Sequence, residues 1–313
     1  MLLQCGIYQF RSFSNYCVII EHTRTYSMIS VAIASFNGEK FIAEQIKSIL
    51  DQSQRVDEII ISDDCSSDRT VEIINEIIIS NPDRKIKLLC NEKNNGYIVN
   101  FRKAISNTSG DYIFLADQDD VWVHDKVSKI ITFMNKEKAE IVCTNFNIID
   151  ANGCDINDKY VLTNFVERCT EKSKLITLDD LKWGNISQGC TYCFTKRVKN
   201  IYTNINYDGV IHDYELLIIG ASLYGAYYIN DKLIKYRLHG NNALGFQKAK
   251  NLKNVNFVPH LRRPRMEVFY TKLAKEVKIK NLFGIKIFYY LKIPVIHAAV
   301  DTACSRIKNI FHY

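Results

Sequence analysis

The chain has 313 residues, 47% of them hydrophobic and 24% charged, with a formal net charge of +7 and a pI near 8.7. That is a soluble globular balance, long enough for one large domain or two modest ones. The mild basicity suits an anionic ligand or an anionic membrane surface and is too dilute for nucleic-acid binding. Ten cysteines are scattered without a framework, and Cys190 and Cys193 alone form a CxxC, so zinc is not expected and core thiols of a reducing cytosol are.

Residues 1–27 do not share the strand-and-helix pattern of the rest of the chain. Tyr16–Ile20 is apolar but too short for a signal peptide or a membrane span, and Met28, immediately before a strong strand, is the expected natural start. From Ile29 strand and helix alternate. Ile29–Ala34 precedes a turn at Asn37-Gly38, and a helix comes next with Ile42, Ile46, Ile49 and Leu50 on one face. Glu58–Ser62 is the next strand, and Val71, Ile74 and Ile78 mark a second helix. Ile86–Leu89 is strand-like, and Ile98, Phe101 and Ile105 line a third helix. Tyr112–Leu115 is a buried strand; after it a helix turns Val127, Ile130, Ile131 and Met134 inward, and Glu140–Thr144 closes the series. Strands separated by such helices mean right-handed βαβ units, an α/β fold with a mostly parallel, Rossmann-like sheet.

Two strand ends are acidic. In IISDDCSSDRT, Asp63 and Asp64 close the second strand, and Ser66, Ser67 or Asp68 would cap the next helix. Asp64 reads either as part of that turn or as an acceptor for the base N3–H of a pyrimidine nucleotide. In DYIFLADQDDVW, Asp117, Asp119 and Asp120 fall within four residues. Carboxylates this close repel one another unless a cation lies among them, and oxygen donors suit Mg²⁺ or Mn²⁺. A lone DxD is more often a solvated turn. At the carboxyl end of a sheet strand, where α/β proteins bind ligands, it gains weight.

The second half is less regular. Residues 145–180 read as loop, Gly184–Thr195 as a buried strand of small residues, and His212–Leu223 as a helix with Tyr214, Leu217, Ile218 and Ala221 at helical spacing. Asp213 is either a helix N-cap or a general base facing the crevice. Gly225–Ile229 and Leu233–Tyr236 read as two short strands ending in YRLHGNN, where His239 is a loop histidine or a metal ligand. Residues 246–313 form a basic tail of helical tendency. Its Phe283–Val300 stretch, interrupted by Lys286, Lys292 and Pro294, is not a membrane span; it reads equally as an interfacial helix and as one packed on the core.

Taken in order, ISVAIASFNGEKFIAEQIKSIL, IISDDCSSDRT, NNGYIVNFRKAI, GDYIFLADQDDVW and HDYELLIIGASLYGAYYINDKLIKYRLHGNN resemble the family 2 glycosyltransferases. The resemblance covers about Met28 to Gly245. The DQDDVW and HDY…YRLHGNN forms look most like rhamnosyltransferase-type members that build bacterial surface polysaccharides such as lipopolysaccharide or capsule. It implies a GT-A fold over 28–245, with a nucleotide-binding half (28–145) and an acceptor half (146–245). Ser35, Phe36, Asn37, Asp64, Asn94 and Asp117 would then hold the nucleotide. Asp117 and Asp119, with His239, would hold Mg²⁺ or Mn²⁺. Asp213 would be the catalytic base, with His212 beside it where many relatives carry Glu.

The implied reaction is an inverting transfer of one rhamnose or hexose from a dTDP- or UDP-sugar to a glycan or polyprenyl-linked acceptor. Its setting would be the cytoplasm, with possible contact at the inner membrane face. The QxxRW signature of processive synthases is missing. A phospho-receiver domain leaves Asp119, Asp120, the HDY segment and well over half the chain unexplained, and a sugar-phosphate nucleotidyltransferase would open with a glycine-rich loop and basic residues where only Gly38 stands. A catalytically inactive glycan- or nucleotide-binding relative would have little reason to keep both DxD aspartates and Asp213.

Overall fold

A computed structural model of the chain describes residues 27–156, 169–183, 185–240 and 263–277. The alternation expected of the first half is present: β1 (Ile29–Ser35), α1 (Ile42–Leu50), β2 (Glu58–Asp63), α2 (Thr70–Ser80), β3 (Lys85–Cys90), α3 (Tyr97–Ser106) and β4 (Tyr112–Asp117). Ile42, Ile46 and Ile49 are buried, as their spacing requires. A two-residue strand β5 (Val121–Trp122) leads into α4 (Lys126–Glu137), whose inward face is the predicted Val127, Ile130, Ile131 and Met134. Beyond it lie β6 (Ile141–Ile149), β7 (Ser173–Ile176), β8 (Cys193–Thr195), α5 (Lys196–Ile205), α6 (His212–Ser222), β9 (Ala226–Arg237) and α7 (Arg263–Val277).

The nine strands of the described residues join one sheet in the order β3-β2-β1-β4-β8-β6-β9-β5, with β7 on β9. The long pairings, β1 with β2 and β4, β2 with β3, and β6 with β9, are parallel. The antiparallel ones cover two to four residue pairs each. The strand order reverses at β1, between β2 and β4, and ligands of open α/β sheets bind beyond the carboxyl ends of the strands at such a point. Ser35, Asp63 and Asp117 all end strands at this crest.

Each face of the sheet carries an apolar core. On one, Val31, Ile33, Phe114 and Trp122 meet α1 and α4; on the other, Ala32, Leu115, Tyr192 and Phe194 meet α3, α5 and α6. Helix α6 is buried nearly all round, its backbone so close to β6 that a Cβ on Gly220 would lie 2.0 Å from Ile141 Cγ2. Phe269, Tyr270 and Leu273 of α7 join that second core, and Lys272 Nζ donates to the Ile205 carbonyl at 2.9 Å. This part of the tail thus packs on the domain. Phe283–Val300, the basic residues 248–262 and the leader lie outside the described residues.

Four expectations need correction. Gly184–Thr195 is not a strand throughout: Gly189–Thr191 is a 3₁₀ turn and only Cys193–Thr195 is β. There Thr191 Oγ1 donates to the Gln188 carbonyl (2.7 Å), a local bond that competes with sheet pairing. The two short strands near 225–236 are one continuous β9; the polar Asn230-Asp231 step is absorbed by irregular register against β6, where Asn145 Nδ2 donates to Asn230 Oδ1 at 2.9 Å. The same side-chain pairing lets β6 run on to Ile149 through Asn145 and Asn147, which had read as loop. Finally, the thiols are only partly core residues: Cys143, Cys169, Cys190 and Cys193 are buried, whereas Cys65, Cys90 and Cys154 are exposed.

Candidate active site at the sheet crest

Two loops meet above β1 and β2. Ser35 Oγ donates to Asp63 Oδ1 (3.0 Å), and Ser66 Oγ donates to the same oxygen at 2.6 Å. Asn37 takes a left-handed φ of 48°, which asparagine tolerates. Its N–H donates to Ser66 Oγ and its Oδ1 accepts from Ser67 N, both at 2.9 Å. None of Ser66, Ser67 and Asp68 is the N-cap of α2, which is Arg69 without a side-chain cap; Asp68, one residue earlier, accepts from Thr70 N at 3.0 Å. Asp64 is buried and accepts from Asn91 Nδ2 (2.8 Å), Asn95 N (2.9 Å) and Gly96 N (2.8 Å), so it ties down the loop before α3. Asn94 Oδ1 accepts from the same Gly96 N–H at 3.0 Å. The polar groups of Ser35, Asn37, Asp64 and Asn94 are thus already engaged in shaping the crest, while the Phe36 ring is 42% exposed over it.

The acidic loop after β4 forms the opposite wall. One oxygen each of Asp117 and Asp120, with the Cys190 sulfur, lie within 4.8 Å of one another. Burial, then the neighbouring Asp119, pushes Asp117 up to about 7. Burial, then Asp119 and Asp117, pushes Asp120 well above its ordinary value. Asp120 Oδ1 accepts from Arg237 N (3.0 Å), but its buried Oδ2 has no geometrically satisfied hydrogen bond, the weak Cys190 thiol being a neighbour. Burial raises the Cys190 thiol well above its ordinary value too, which keeps the sulfur protonated and leaves oxygens as the donors. An underserved carboxylate oxygen among crowded acids fits a hard divalent cation. Asp119 lies beside this cluster, near enough for its charge to raise Asp117, and its Oδ2 is 2.8 Å from His239 Nε2; of the expected metal residues only Asp117 belongs to the group that closes within 4.8 Å, where Asp120 and Cys190 join it.

Two cations that the sequence pattern did not assign support the loop. Arg237, the last residue of β9, donates from Nε to the Asp119 carbonyl (2.7 Å) and from Nη2 to Glu44 Oε2 (2.6 Å), with its guanidinium 4.8 Å from the Phe41 ring centroid. Lys126 is fully buried; its Nζ donates to the Cys190 carbonyl at 2.9 Å and lies 3.7 Å over the Trp122 ring. Burial lowers its pKa to about 7, with Cys190, Asp120 and Asp117 pulling the other way. Their position in or beside the DQDDVW and YRLHGNN segments was the available signal, since buried lysine and arginine are rare without a partner.

Asp213 opens α6 on the third side. It is not the N-cap, which is Ile211; its Oδ1 accepts from its neighbour Tyr214 N at 2.7 Å. The Asn185 side chain and the Gly189 N–H also hold it, and a Cβ on Gly189 would lie 3.1 Å from Asp213 Cβ, so the irregular 185–191 stretch is the cradle of this carboxylate. Burial outweighs these bonds and lifts Asp213 to about 7. Its charge in turn adds to the upward shifts of Asp117 and of the Tyr97 hydroxyl, so the three lie within electrostatic reach of one another. His212 is buried and stacked on Phe101 at 4.1 Å between ring centroids. Burial, helped by Arg102, lowers it to about 3, so it is neutral.

A sheet reversing at β1, a DxD loop at its crest and a carboxylate facing that loop define the glycosyltransferase class with the GT-A fold. Solved structures agree on the fold: S. aureus TarS 1-349 in complex with UDP-GlcNAc superposes with a TM-score of 0.54 at 17% identity, over 80% of this chain and 66% of that one. The sequence model described as "Glycosyl transferase family 2" matches residues 30–198. A dTDP-rhamnosyl transferase of Shigella flexneri, RfbG, is 32% identical over 224 residues, covering 68% of this chain and 73% of its own. A Bacillus subtilis protein whose name assigns it to teichuronic acid biosynthesis, TuaG, is 29% identical over 238 residues, 74% of this chain and 86% of its own. The chain belongs to glycosyltransferase family 2.

Proposed function

We propose that this protein transfers one sugar, rhamnose or a hexose, from a dTDP- or UDP-sugar to a glycan or polyprenyl-linked acceptor of a bacterial surface polysaccharide, inverting the configuration at C1. The observation that carries this reading is Asp213: a carboxylate partly exposed to the crevice, with a pKa near 7, opposite the DxD loop. A base poised near the working pH is the one best able to take a proton in the transition state. The acceptor hydroxyl oxygen forms the new bond to C1 while Asp213 takes its proton. The old bond from C1 to the diphosphate oxygen breaks, and that oxygen leaves with the electron pair. A single base on the face away from the leaving group needs no covalent sugar intermediate, hence inversion.

Asp117, Asp119 and Asp120, with His239, would hold Mg²⁺ or Mn²⁺, which when bound offers Lewis-acid stabilisation to a diphosphate. Ser35, Phe36, Asn37, Asp64 and Asn94 are placed to shape the nucleotide side of the crevice. The relatives named above support the donor choice: one is named for dTDP-rhamnose, and TarS was solved with UDP-GlcNAc. No helix of the described residues is long and apolar enough to cross a membrane.

The test is equilibrium binding of UDP, dTDP, GDP and CMP with and without Mn²⁺, to the wild type and to Asp119→Asn. Mn²⁺-dependent binding of UDP or dTDP, weakened at least about tenfold in the variant, is expected for a lost charge-assisted contact. A folded protein that binds none of the four would reduce this chain to an inactive relative.

A further inference from the structure

The residue between the two DxD aspartates has no part in the chemistry above, yet it has the most regular contacts of the loop. Gln118 Oε1 accepts from Phe36 N at 2.8 Å, and Gln118 Nε2 donates to the Phe36 carbonyl at 2.9 Å. One side-chain amide thus closes both backbone groups of Phe36, as a neighbouring strand would. Room for it comes from Gly38, where a Cβ would lie 2.2 Å from Gln118 Oε1 and 2.5 Å from Cδ. The other side of the same turn is pinned through Asn37 to Ser66 and Ser67. A shift of the Phe36–Asn37 turn therefore disturbs both Gln118 bonds, and through that side chain the turn is linked to the loop that carries Asp117 and Asp119.

We propose that Gln118 is a positioning residue that couples the nucleoside side of the crevice to the cation side, so that occupying either one favours the other. The proposal rests on the nucleotide-and-cation reading of the site. A diphosphate would blur the test, because it can touch the ion directly; a nucleoside cannot. Binding energy passed through Gln118 must appear equally in both directions, since coupling free energies are reciprocal.

The experiment measures the affinity of uridine and of thymidine by NMR titration, with and without Mg²⁺, on the wild type, Gln118→Ala and Gly38→Ala. The second variant leaves Gln118 in the chain and displaces only its amide tip. Thermal melts establish that each is folded, and UDP and dTDP titrations run alongside. In the wild type Mg²⁺ should tighten the better nucleoside about fivefold or more, the lower end of ordinary couplings. Both variants should bring that factor to about one while keeping most of the Mg²⁺ dependence of the matching diphosphate. A wild-type nucleoside affinity indifferent to Mg²⁺, or an unchanged factor in Gln118→Ala, overturns the coupling and leaves the transferase reading standing. Absence of UDP and dTDP binding in the wild type overturns both.

Discussion

At Asp213 one side chain answers two opposing demands. Removing it from water raises its proton affinity, while Tyr214 N, Asn185 and the Gly189 N–H hold it ready to be a carboxylate. The balance near 7 gives a pH signature. The rate kcat/KM should climb with pH through an apparent pKa near 7 and then level off, as the deprotonated base becomes populated. Asp213→Asn should lower the rate about 10²- to 10⁴-fold, flatten that limb and leave nucleotide binding in place. Stability runs the other way. A folded-state pKa above the ordinary value of 3.8 means the native protein holds a proton that the unfolded chain releases between those limits. The stabilisation from this group is therefore complete below about 4 and lost as pH rises through 7. An active Asp213→Asn enzyme in a sugar-transfer assay would remove this residue from the role of base.

The element that holds Asp213 is α6, and its anchor is Arg102 on α3. The guanidinium meets Glu215 Oε2 at 2.9 Å, Asp208 Oδ1 at 2.6 Å and the Tyr202 carbonyl at 3.1 Å, and lies over the face of the Tyr202 ring 4.1 Å away. Burial outweighs the pull of Arg102 and leaves Glu215 raised to about 8, so the pair is held chiefly as a buried hydrogen-bond network. Arg102→Met should cost about 3–5 kcal/mol, since the buried Glu215 Oε2 and Tyr202 carbonyl lose their donor together. Urea denaturation measures this, and a loss well under about 1 kcal/mol would show that the network is not what fixes α6. The sequence offers no periodic signal for the pairing, because its two ends are far apart in the chain and become neighbours only when α3 and α6 pack.

Across the whole molecule, the sheet gathers acids from separate segments at one edge: Asp117, Asp119 and Asp120 after β4, and Asp213 from α6. Ionised carboxylates this close repel one another, and protons or a divalent ion would relieve the same repulsion. The two should compete. Millimolar Mg²⁺ should raise the melting temperature by a few degrees at about pH 8, where Asp117 is ionised, and by much less at about pH 5.5, where protons already neutralise it. Equal shifts at both pH values would place the ion elsewhere. The tail enters at this scale too, since Phe269, Tyr270 and Leu273 complete the core behind α5 and α6.

What the sequence by itself determined is the local and repetitive part: βαβ alternation over the first half, the inward faces of α1 and α4, the acidic strand ends and the Asp213 segment. Hydrophobic period and residue type suffice for these, because each is written within about ten residues. Only the tertiary structure decided what depends on meeting a distant partner. Asn145 and Asn147 stay inside a strand because Asn230 faces the first; Gly189–Thr191 leaves the sheet to cradle Asp213; Asp120, Gln118, Lys126 and Arg237 acquire their places from β9, the Cys190 turn and the Phe36 loop. Polar side chains in a window read as loop when their hydrogen-bond partners are absent from that window, and burial with a partner reverses the reading.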